Sequence, residues 1–351
     1  MEISYSDVKA YYGTELSSSE DLKTNVCCSI QPPSQQIRKI IAQLSDEVKD
    51  KYYGCGLTIP SVLKGLHVLD LGSGSGRDCF IASSLVGENG RVVGLDMTKE
   101  QLDVARRNID YHTDRFDYKK SNVEFIQGNI DELGEIGLEP SSFDLIISNC
   151  VINLTKDKQK VLQDAFHLLK PGGEMYFSDV YADRRVPKDL QEHKELWNEC
   201  LSGALYWNDF LNIAKKAGFI DPRVVESHEI SVENKELQEL TGDIRFYSVT
   251  YRLMKIEGLE ADCEDYGQAV TYKGGIEGEE KGYTLDDHHY FPKGKVVPVC
   301  GNTYRMLHDT RLASYFDYYG TWDTHYGIFE GCGTEMPFDQ QHDEESPSTC
   351  C

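Results

Sequence analysis

The stretch His67-Val-Leu-Asp-Leu-Gly-Ser-Gly-Ser-Gly-Arg-Asp78 joins a short apolar run to three glycines at every second position. The apolar run predicts a buried strand, because four to eight apolar residues bounded by glycine are typical of a parallel sheet. Gly72, Gly74 and Gly76 predict the turn into a helix that begins near Arg77. Glycine suits this turn because it adopts backbone angles that side chains forbid and lets the backbone approach a ligand closely. We therefore interpret the loop as a cofactor-binding turn.

The spacing of the glycines indicates which cofactor binds. A dinucleotide fingerprint, G-x-G-x-x-G, would need its third glycine at position 77, which is arginine. A second apolar run, Arg91–Asp96, ends in an acid that can accept hydrogen bonds from two ribose hydroxyls. The pattern from Asp70 to Gly76, together with Asp96, resembles class I methyltransferases, which bind S-adenosylmethionine at this place.

Composition limits the partners. The chain has 351 residues, with 36 basic and 59 acidic side chains and a formal net charge of -23. This charge repels phosphate backbones, and no local basic patch offsets it, so we expect small-molecule substrates and no nucleic acid.

The cellular location of the protein is predicted from its N-terminal sequence and its apolar runs, and the location in turn predicts the state of its cysteines. The N-terminus lacks a signal-peptide pattern and no apolar run is long enough to span a membrane, so we expect a cytoplasmic protein without a membrane partner. The eleven cysteines are then expected to be thiols. Neither C-x-x-C nor a paired histidine spacing occurs, so a zinc site is not the first interpretation.

Strand and helix patterns alternate from Leu66 to Asp179, which predicts an α/β fold with a doubly wound parallel sheet. The predicted strands are Val68–Leu71, Arg91–Leu95, Val123–Ile126, Phe143–Ser148 and Met175–Ser178, and the predicted helices lie near 78–86, 98–111 and 157–169. We expect three regions: residues 1–180 with N-terminal helices and the cofactor domain, a cover region at 181–256, and a C-terminal domain at 257–351.

Other segments are predicted around the sheet. Apolar residues from Ile37 to Val48 recur at helical spacing and predict one amphipathic helix that lies over the cofactor. Helical patterns cover Leu190–Leu205 and Trp207–Gly218, and strand-like alternation at 223–232 and 244–254 would extend or flank the sheet. Asp179 follows the fifth strand and receives no role.

The cysteines fall into two groups. Cys79 follows the glycine loop among apolar residues and is typical of a buried core thiol. Cys55 lies between glycines, Cys150 at the end of the fourth strand, and Cys200 before Ser-Gly. The residues alone leave open whether these three thiols converge on one ligand.

Three converging thiolates would select a soft, polarisable centre. Trivalent arsenic bound by three sulfurs keeps a lone pair, which can act as a nucleophile without losing a proton first. This chemistry would explain why no His-Asp or paired-carboxylate motif is evident. The protein would then contribute alignment.

Five segments in order resemble arsenite S-adenosylmethionine methyltransferases. They are Asp21–Cys27, Tyr52-Tyr-Gly-Cys-Gly56, Asp70–Gly76, Ser148-Asn-Cys-Val-Ile-Asn153 and Trp197–Trp207. The resemblance implies that Cys55, Cys150 and Cys200 bind arsenic(III) and that Cys27 relays electrons by disulfide exchange.

The resemblance also implies the residues that bind S-adenosylmethionine. With the loop residues Ser73, Gly74 and Gly76, these are Tyr53, Asp70, Gly72, Asp96, Met97, Asn129, Ile130, Asn149 and Val151. The expected substrates are arsenite and methylarsenite. The expected products are methylarsenite and a dimethylated arsenical. Thioredoxin or glutathione is the expected reductant.

Several alternatives stay open. Cys28 adjoins Cys27 and could be the relay, while Cys350 and Cys351 either capture arsenic or form a simple chain end. Cys263, Cys300 and Cys332 match no motif. The competing functions are a class I methyltransferase of another small metabolite, which would need a base near Asn149, and a non-catalytic thiol protein that binds arsenic or zinc.

Overall fold

A computed structural model describes residues 34–52, 56–193, 196–197, 200–231 and 234–332. The predicted site residues Cys27, Tyr53 and Cys55 lie outside these ranges, as do Cys28, Cys350 and Cys351. Within the described residues no helix has both the length and the apolar character needed to cross a membrane.

The described helices and strands alternate through the first half of the chain, and strands dominate the second half. The helices are α1 (Gln35–Ile41), α2 (Asp46–Asp50), α3 (Arg77–Val86), α4 (Lys99–Arg107), α5 (Ile109–Arg115), α6 (Lys158–Leu168), α7 (Lys188–Gln191), α8 (Trp207–Ala217), α9 (Lys235–Thr241) and α10 (Gly301–His308). The strands are β1 (His67–Leu71), β2 (Arg91–Asp96), β3 (Val123–Gln127), β4 (Phe143–Asn149), β5 (Leu169–Ala182), β6 (Leu205–Tyr206), β7 (Arg223–Ile230), β8 (Phe246–Met254), β9 (Glu264–Asp265), β10 (Gln268–Tyr272), β11 (Gly282–Thr284), β12 (Tyr290–Pro292), β13 (Val296–Val299), β14 (Phe316–Tyr319) and β15 (Gly327–Ile328).

The main sheet has the order β3-β2-β1-β4-β5-β8-β7, with β6 paired to β5. Strands β1 to β5 are parallel, which confirms the doubly wound prediction, and β8 and β7 extend the sheet in antiparallel fashion. The chain leaves β1 toward β2 on one side and returns to β4 on the other. Ligands bind at such a switch point, outside the carboxyl ends of the strands. The ends of β1 and β4 therefore mark the site.

Apolar side chains cover both faces of the sheet. One cluster packs α6 and α8 against β4 and β5, through residues such as Phe177 and Phe210. The other packs α1 to α4 against the opposite face, through residues such as Phe80 and Leu145. Because both faces of the sheet are buried, the sequences of β1 and β4 are mostly apolar rather than alternately apolar and polar.

Three helix predictions were wrong in detail. In the predicted helix Leu190–Leu205, α7 ends at Gln191 and Leu205 belongs to β6. The predicted helix at 37–48 is two helices, because Ser45 starts α2 by accepting a hydrogen bond from the Val48 amide. These helices pack on the α3 side of the sheet. Among the described residues from α1 to Tyr52, only Lys51 and Tyr52, which follow α2, line the cleft at the end of the sheet. The predicted helix at 98–111 is likewise divided, with Asn108 between α4 and α5.

The C-terminal region has its own core around a three-stranded sheet, β13-β10-β14, and α10. An ion-pair cluster connects it to the main sheet. Glu174 on β5 is fully buried and pairs with Arg252 of β8 at 3.0 Å and with Arg311 of the C-terminal region. Arg311 also donates to the carbonyl of Ser61. The two cores are therefore joined through a buried carboxylate.

Candidate functional site: a cleft at the carboxyl ends of the strands

A cleft of about 960 Å³, including its part open to solvent, lies at the switch point of the main sheet. This volume is within the range of small-molecule sites. Its walls include most of the predicted cofactor residues: Asp70, Gly72, Ser73, Gly74, Asp96, Met97, Asn129, Ile130, Asn149 and Val151. The predicted thiol Cys150 lines it too.

The glycine loop leaves room for a ligand because its residues lack side chains. Gly72 and Gly74 have φ of +79° and +51°, a region that side chains disfavour. A Cβ on Gly72 would lie 2.4 Å from a Val151 methyl, whereas a Cβ on Gly74 would meet no atom within 4 Å. Gly76 is outside the cleft wall, and a Cβ there would lie 2.7 Å from the Phe125 ring. The first two glycines shape the cleft, and the third serves packing.

Three carboxylates line this cleft, and two of them, Asp70 and Asp78, are buried. Burial raises the pKa of Asp70 well above its usual value, and the negative charge of Asp78 adds to the effect. Burial also raises the pKa of Asp78 and of Asp96. Asp96 accepts hydrogen bonds from the Gly74 and Thr98 amides at 2.8 and 2.7 Å. Carboxylates crowded together in this way favour a ligand that carries positive charge.

The cleft fits S-adenosylmethionine in two further respects. The Ser73 hydroxyl is buried and has no hydrogen-bond partner among the described residues, so it is free to serve a polar ligand. A positively charged sulfur would also compensate the three carboxylates. Asn129 lines the cleft, although its side-chain oxygen accepts from the Asp131 amide.

A polar network ties the segment around residue 52 to the end of β4. The Asn149 amide donates to the Tyr52 hydroxyl at 2.6 Å and to the Gly56 carbonyl at 3.2 Å. The Arg77 guanidinium lies 3.9 Å from the centre of the Tyr52 ring and pairs with Asp78 at 3.0 Å. Gly56 is therefore held beside Asn149, the neighbour of Cys150 in sequence.

The structure brings Cys150 and Cys200 together although 49 residues separate them in sequence. The Cys200 thiol donates to the Cys150 carbonyl at 3.3 Å, and both side chains are buried in one apolar cluster. Cys150 takes part in a disulfide. Both residues have positive φ, 54° and 62°, which is uncommon for residues other than glycine. Backbone strain of this kind concentrates at functional sites.

Asp179 lies on β5 and holds the backbone that follows Cys150; no role was predicted for it from the sequence. It is 1% exposed and accepts hydrogen bonds from the Asn153 and Val180 amides, both at 2.9 Å. Burial raises its pKa to about 6. Asp179 thus fixes the turn that follows Cys150.

Lys158 brings a positive charge to the same place. Burial lowers its pKa to about 8, although the charges of Asp179, Asp131 and Cys200 oppose this change. Its ammonium also donates to the Thr155 carbonyl at 2.9 Å. At neutral pH the group is mainly protonated, so it places a positive charge near Asp179.

Gly203 lets the Cys200 segment approach the turn at Asn153, which follows β4. A Cβ at this position would lie 2.3 Å from the Asn153 carbonyl oxygen. On the other side, the Asn153 side chain donates to the Val180 carbonyl at 2.6 Å and to the Cys200 carbonyl at 3.5 Å. The cover segment and the strand end therefore interlock.

Some cleft residues were missed in the sequence. They are Lys51, Tyr52, Ser75, Asp78, Thr98, Gln101, Gly128, Leu154 and Thr155. Asp78 had a signal, since it directly follows the loop and helix start, and Asp179 had one as the acid that follows the fifth strand. Cys79 was predicted correctly as a core thiol: it is fully buried and donates to Asp70 at 3.2 Å.

Two family models match the chain. Residues 63–218 match a methyltransferase domain, and residues 266–342 match an arsenite methyltransferase C-terminal domain. The first range contains Cys150, Cys200 and all the described residues that line the cleft except Lys51 and Tyr52, and the second contains most of the C-terminal core.

Curated relatives and a solved structure are similar over most of the chain. An arsenite methyltransferase of Aquipseudomonas alcaligenes is 52% identical over 99% of this chain and 100% of its own length. The arsenite methyltransferase of Mus musculus is 47% identical over 89% of this chain and 82% of its own. The crystal structure of an arsenic(III) S-adenosylmethionine methyltransferase from Chlamydomonas reinhardtii, 51% identical, superposes with a TM-score of 0.83 over 85% of this chain and all of that one.

Proposed function

The chain belongs to the arsenite methyltransferase family, and we propose that Cys55, Cys150 and Cys200 hold arsenic(III) during its S-adenosylmethionine-dependent methyl transfer. The observation that carries the assignment is the contact between the Cys200 thiol and the Cys150 backbone beside the cofactor cleft. The position of Gly56 against Asn149 supports the third ligand, because Gly56 follows Cys55 directly in sequence. Tyr53 is proposed as a cofactor contact on the same ground.

The chain's own residues bind and orient the reactants. Asp96, Asp70 and the Gly72 turn would hold S-adenosylmethionine, and the charges of Asp70 and Asp78 favour its cationic sulfur. When bound, it supplies an electrophilic methyl carbon, to which the arsenic lone pair can bond as the sulfur leaves as a neutral thioether. Holding the two centres in line contributes up to ~7–11 kcal/mol toward the barrier.

Thiol chemistry prepares the site. Arsenite loses three hydroxyls as water when three thiols bind it, so no external base needs to act on the nucleophile. The disulfide at Cys150 must first gain two electrons, because a disulfide sulfur is not a thiolate ligand. We propose Cys27 as the internal relay and thioredoxin or glutathione as the source of electrons, which also restore trivalent arsenic after each transfer.

The reaction products and location are proposed on the same basis. Methylarsenite can bind through its remaining exchangeable hydroxyls, so we propose it as both a product and a second substrate, with a dimethylated arsenical as the later product. We propose a cytoplasmic location and a detoxifying role, because dithiol reductants are maintained in reducing compartments. Proposed regions are 1–180, 181–256 and 257–351.

Single variants Cys55→Ser, Cys150→Ser and Cys200→Ser test the assignment. With arsenite, dithiol and S-adenosylmethionine, each should lower methylation at least about a hundredfold, because a misplaced reactant costs about that much. Binding of S-adenosylmethionine, measured by calorimetry, should change less than threefold. Retained methylation in any one variant would remove that cysteine from the site, and joint loss of cofactor binding would indicate misfolding.

A further inference from the structure

A second group of three cysteines lies in the C-terminal region. The sulfurs of Cys263, Cys300 and Cys332 are all within 4.8 Å of one another. These residues are 37 and 32 positions apart in sequence, so no local motif could have indicated the cluster. None of the three lines the cofactor cleft.

Three separate elements place these sulfurs. Cys263 directly precedes β9, which pairs with β15, and Cys332 follows β15 by four positions. The Phe329 amide donates to the Cys263 carbonyl at 2.7 Å, which fixes the two segments relative to each other. Cys300 is the N-cap of α10, and its sulfur accepts from the Thr303 amide at 3.5 Å.

An ion from solvent can reach this cluster of three sulfurs. Cys300 is 1% exposed, whereas Cys263 and Cys332 are half-buried, so an ion can enter from the surface. Two sulfurs bound to one ion by bonds of about 2.3 Å lie less than about 4.6 Å apart, because three ligands on one centre are not in line. The three sulfurs, all within 4.8 Å of one another, must therefore come within that shorter distance of one another to share a ligand.

We propose that Cys263, Cys300 and Cys332 form a second arsenic(III) site, separate from the site of methyl transfer. Arsenite would exchange its three hydroxyls for three sulfurs, and the three thiol protons would leave with them as water. No electrons are transferred in this exchange. Because the cleft residues are elsewhere, the bound arsenic is stored rather than methylated.

The donor set favours arsenic(III) over zinc. Soft thiolates suit both ions, but structural zinc sites have four ligands. Within the described ranges, no histidine, carboxylate or further cysteine joins the three sulfurs. The nearby Arg223 guanidinium donates to Thr303 at 3.3 Å and places positive charge next to the cluster.

A full-length variant with serine at residues 27, 28, 55, 150, 200, 350 and 351 isolates the cluster. After reduction it should bind one arsenic(III) per chain by equilibrium dialysis, and X-ray absorption should show three sulfur neighbours. Adding Cys300→Ser should weaken binding at least tenfold. Serine still caps α10, so the fold is preserved. Cys79→Ser in the same background is the matched control and should keep the one-to-one ratio.

Each outcome decides the proposal independently of the methyl-transfer site. Unchanged binding after Cys300→Ser, two sulfur neighbours, or displacement of arsenic by equimolar Zn²⁺ would overturn it. If the multiple variant does not fold, the natural chain is compared with Cys300→Ser and Cys263→Ser. A fall of one bound arsenic per chain then supports the second site, and an unchanged number contradicts it.

Discussion

The two groups of cysteines differ in the backbone that carries them. Cys150 and Cys200 both have positive φ and lie beside the cofactor cleft. Cys263, Cys300 and Cys332 have ordinary φ, and Cys300 caps a helix. Non-glycine residues adopt positive φ only where the surrounding structure enforces it. The difference agrees with the two roles proposed for these cysteines, methyl transfer at the first group and retention of arsenic at the second.

Their charged surroundings differ in the same sense. Asp179, near the first pair, has a pKa raised to about 6 by burial. Near the second group, burial alone would raise the pKa of Asp286, but a hydrogen bond from His289 and the charge of Arg223 lower it. The first site thus contains a buried carboxyl with a raised pKa, and the second contains one whose pKa its ion pairs lower.

The largest expected effect is a loss of S-adenosylmethionine affinity, because we expect the cofactor to bind beside the first group of cysteines and not beside the second. Asp96→Asn should weaken S-adenosylmethionine binding about thirtyfold, since a hydrogen bond to a charged group contributes roughly 1.5–3 kcal/mol. Calorimetry measures this affinity. Asp103→Asn is the control, because Asp103 forms only an exposed pair with Lys99. Equal losses in both variants would contradict a specific role for Asp96.

A smaller effect should follow from separating the Cys200 segment from the turn at Asn153. Gly203→Ala introduces a Cβ against the Asn153 carbonyl and should lower kcat for methylation about tenfold, given an overpacking cost of roughly 1–3 kcal/mol. Cofactor affinity should change little. Gly134→Ala is the control, because its Cβ would meet its nearest atom at 3.5 Å. A normal kcat in Gly203→Ala would show that the segment tolerates displacement.

The two buried carboxylates should give opposite pH dependence of stability. The pKa of Asp179 is higher in the folded state than the unfolded 3.8, so its contribution is present below about pH 4 and lost as pH rises toward 6. The pKa of Asp286 is lowered, so its contribution is present above the unfolded 3.8 and lost as pH falls below it. The melting temperature should therefore change by a few degrees with pH, which corresponds to a difference on the order of 1–2 kcal/mol in the free energy of unfolding.

Asparagine variants identify the source of each change. Asp179→Asn should flatten the melting temperature between pH 4 and 6, while Asp286→Asn should alter only the acid limb. If both variants showed the same profile, the electrostatic contrast between the two sites would be wrong.

The smallest effect tests backbone strain directly. Cys200→Gly should be more stable than Cys200→Ala by about 1 kcal/mol, because alanine at positive φ is strained and glycine is not. At Cys263 the order should reverse, with alanine more stable by roughly 0.5–1 kcal/mol. Urea unfolding under reducing conditions measures both pairs. The same order at both positions would remove the distinction drawn from φ.

The sequence predicted the sheet because local patterns encode it. Buried parallel strands such as β1 and β4 appear as apolar runs, and the glycine loop marks the end of β1. Helix breaks were harder: the start of α2 depends on one Ser45 hydrogen bond. The order of β8 and β7 follows from packing between distant segments, which spacing does not reveal.

The site was predictable where function depends on a residue type at a strand end. Asp96 and Asn149 are such residues. Asp179 was undervalued, because its importance lies in two amide hydrogen bonds that appear only when the chain is folded. The cluster of Cys263, Cys300 and Cys332 was invisible for a related reason, since three distant elements create it.

The buried Glu174 has a consequence for dividing this enzyme into parts. Its carboxylate is neutralised by one guanidinium from within the sheet and one from the C-terminal region. A chain truncated near residue 257 would keep the first and lose Arg311, leaving a carboxylate inside the catalytic domain with half of its compensation. Although the catalytic domain has a hydrophobic core of its own, such a fragment should be less soluble than the full chain. Shortened forms of this enzyme would therefore need a compensating change at position 174.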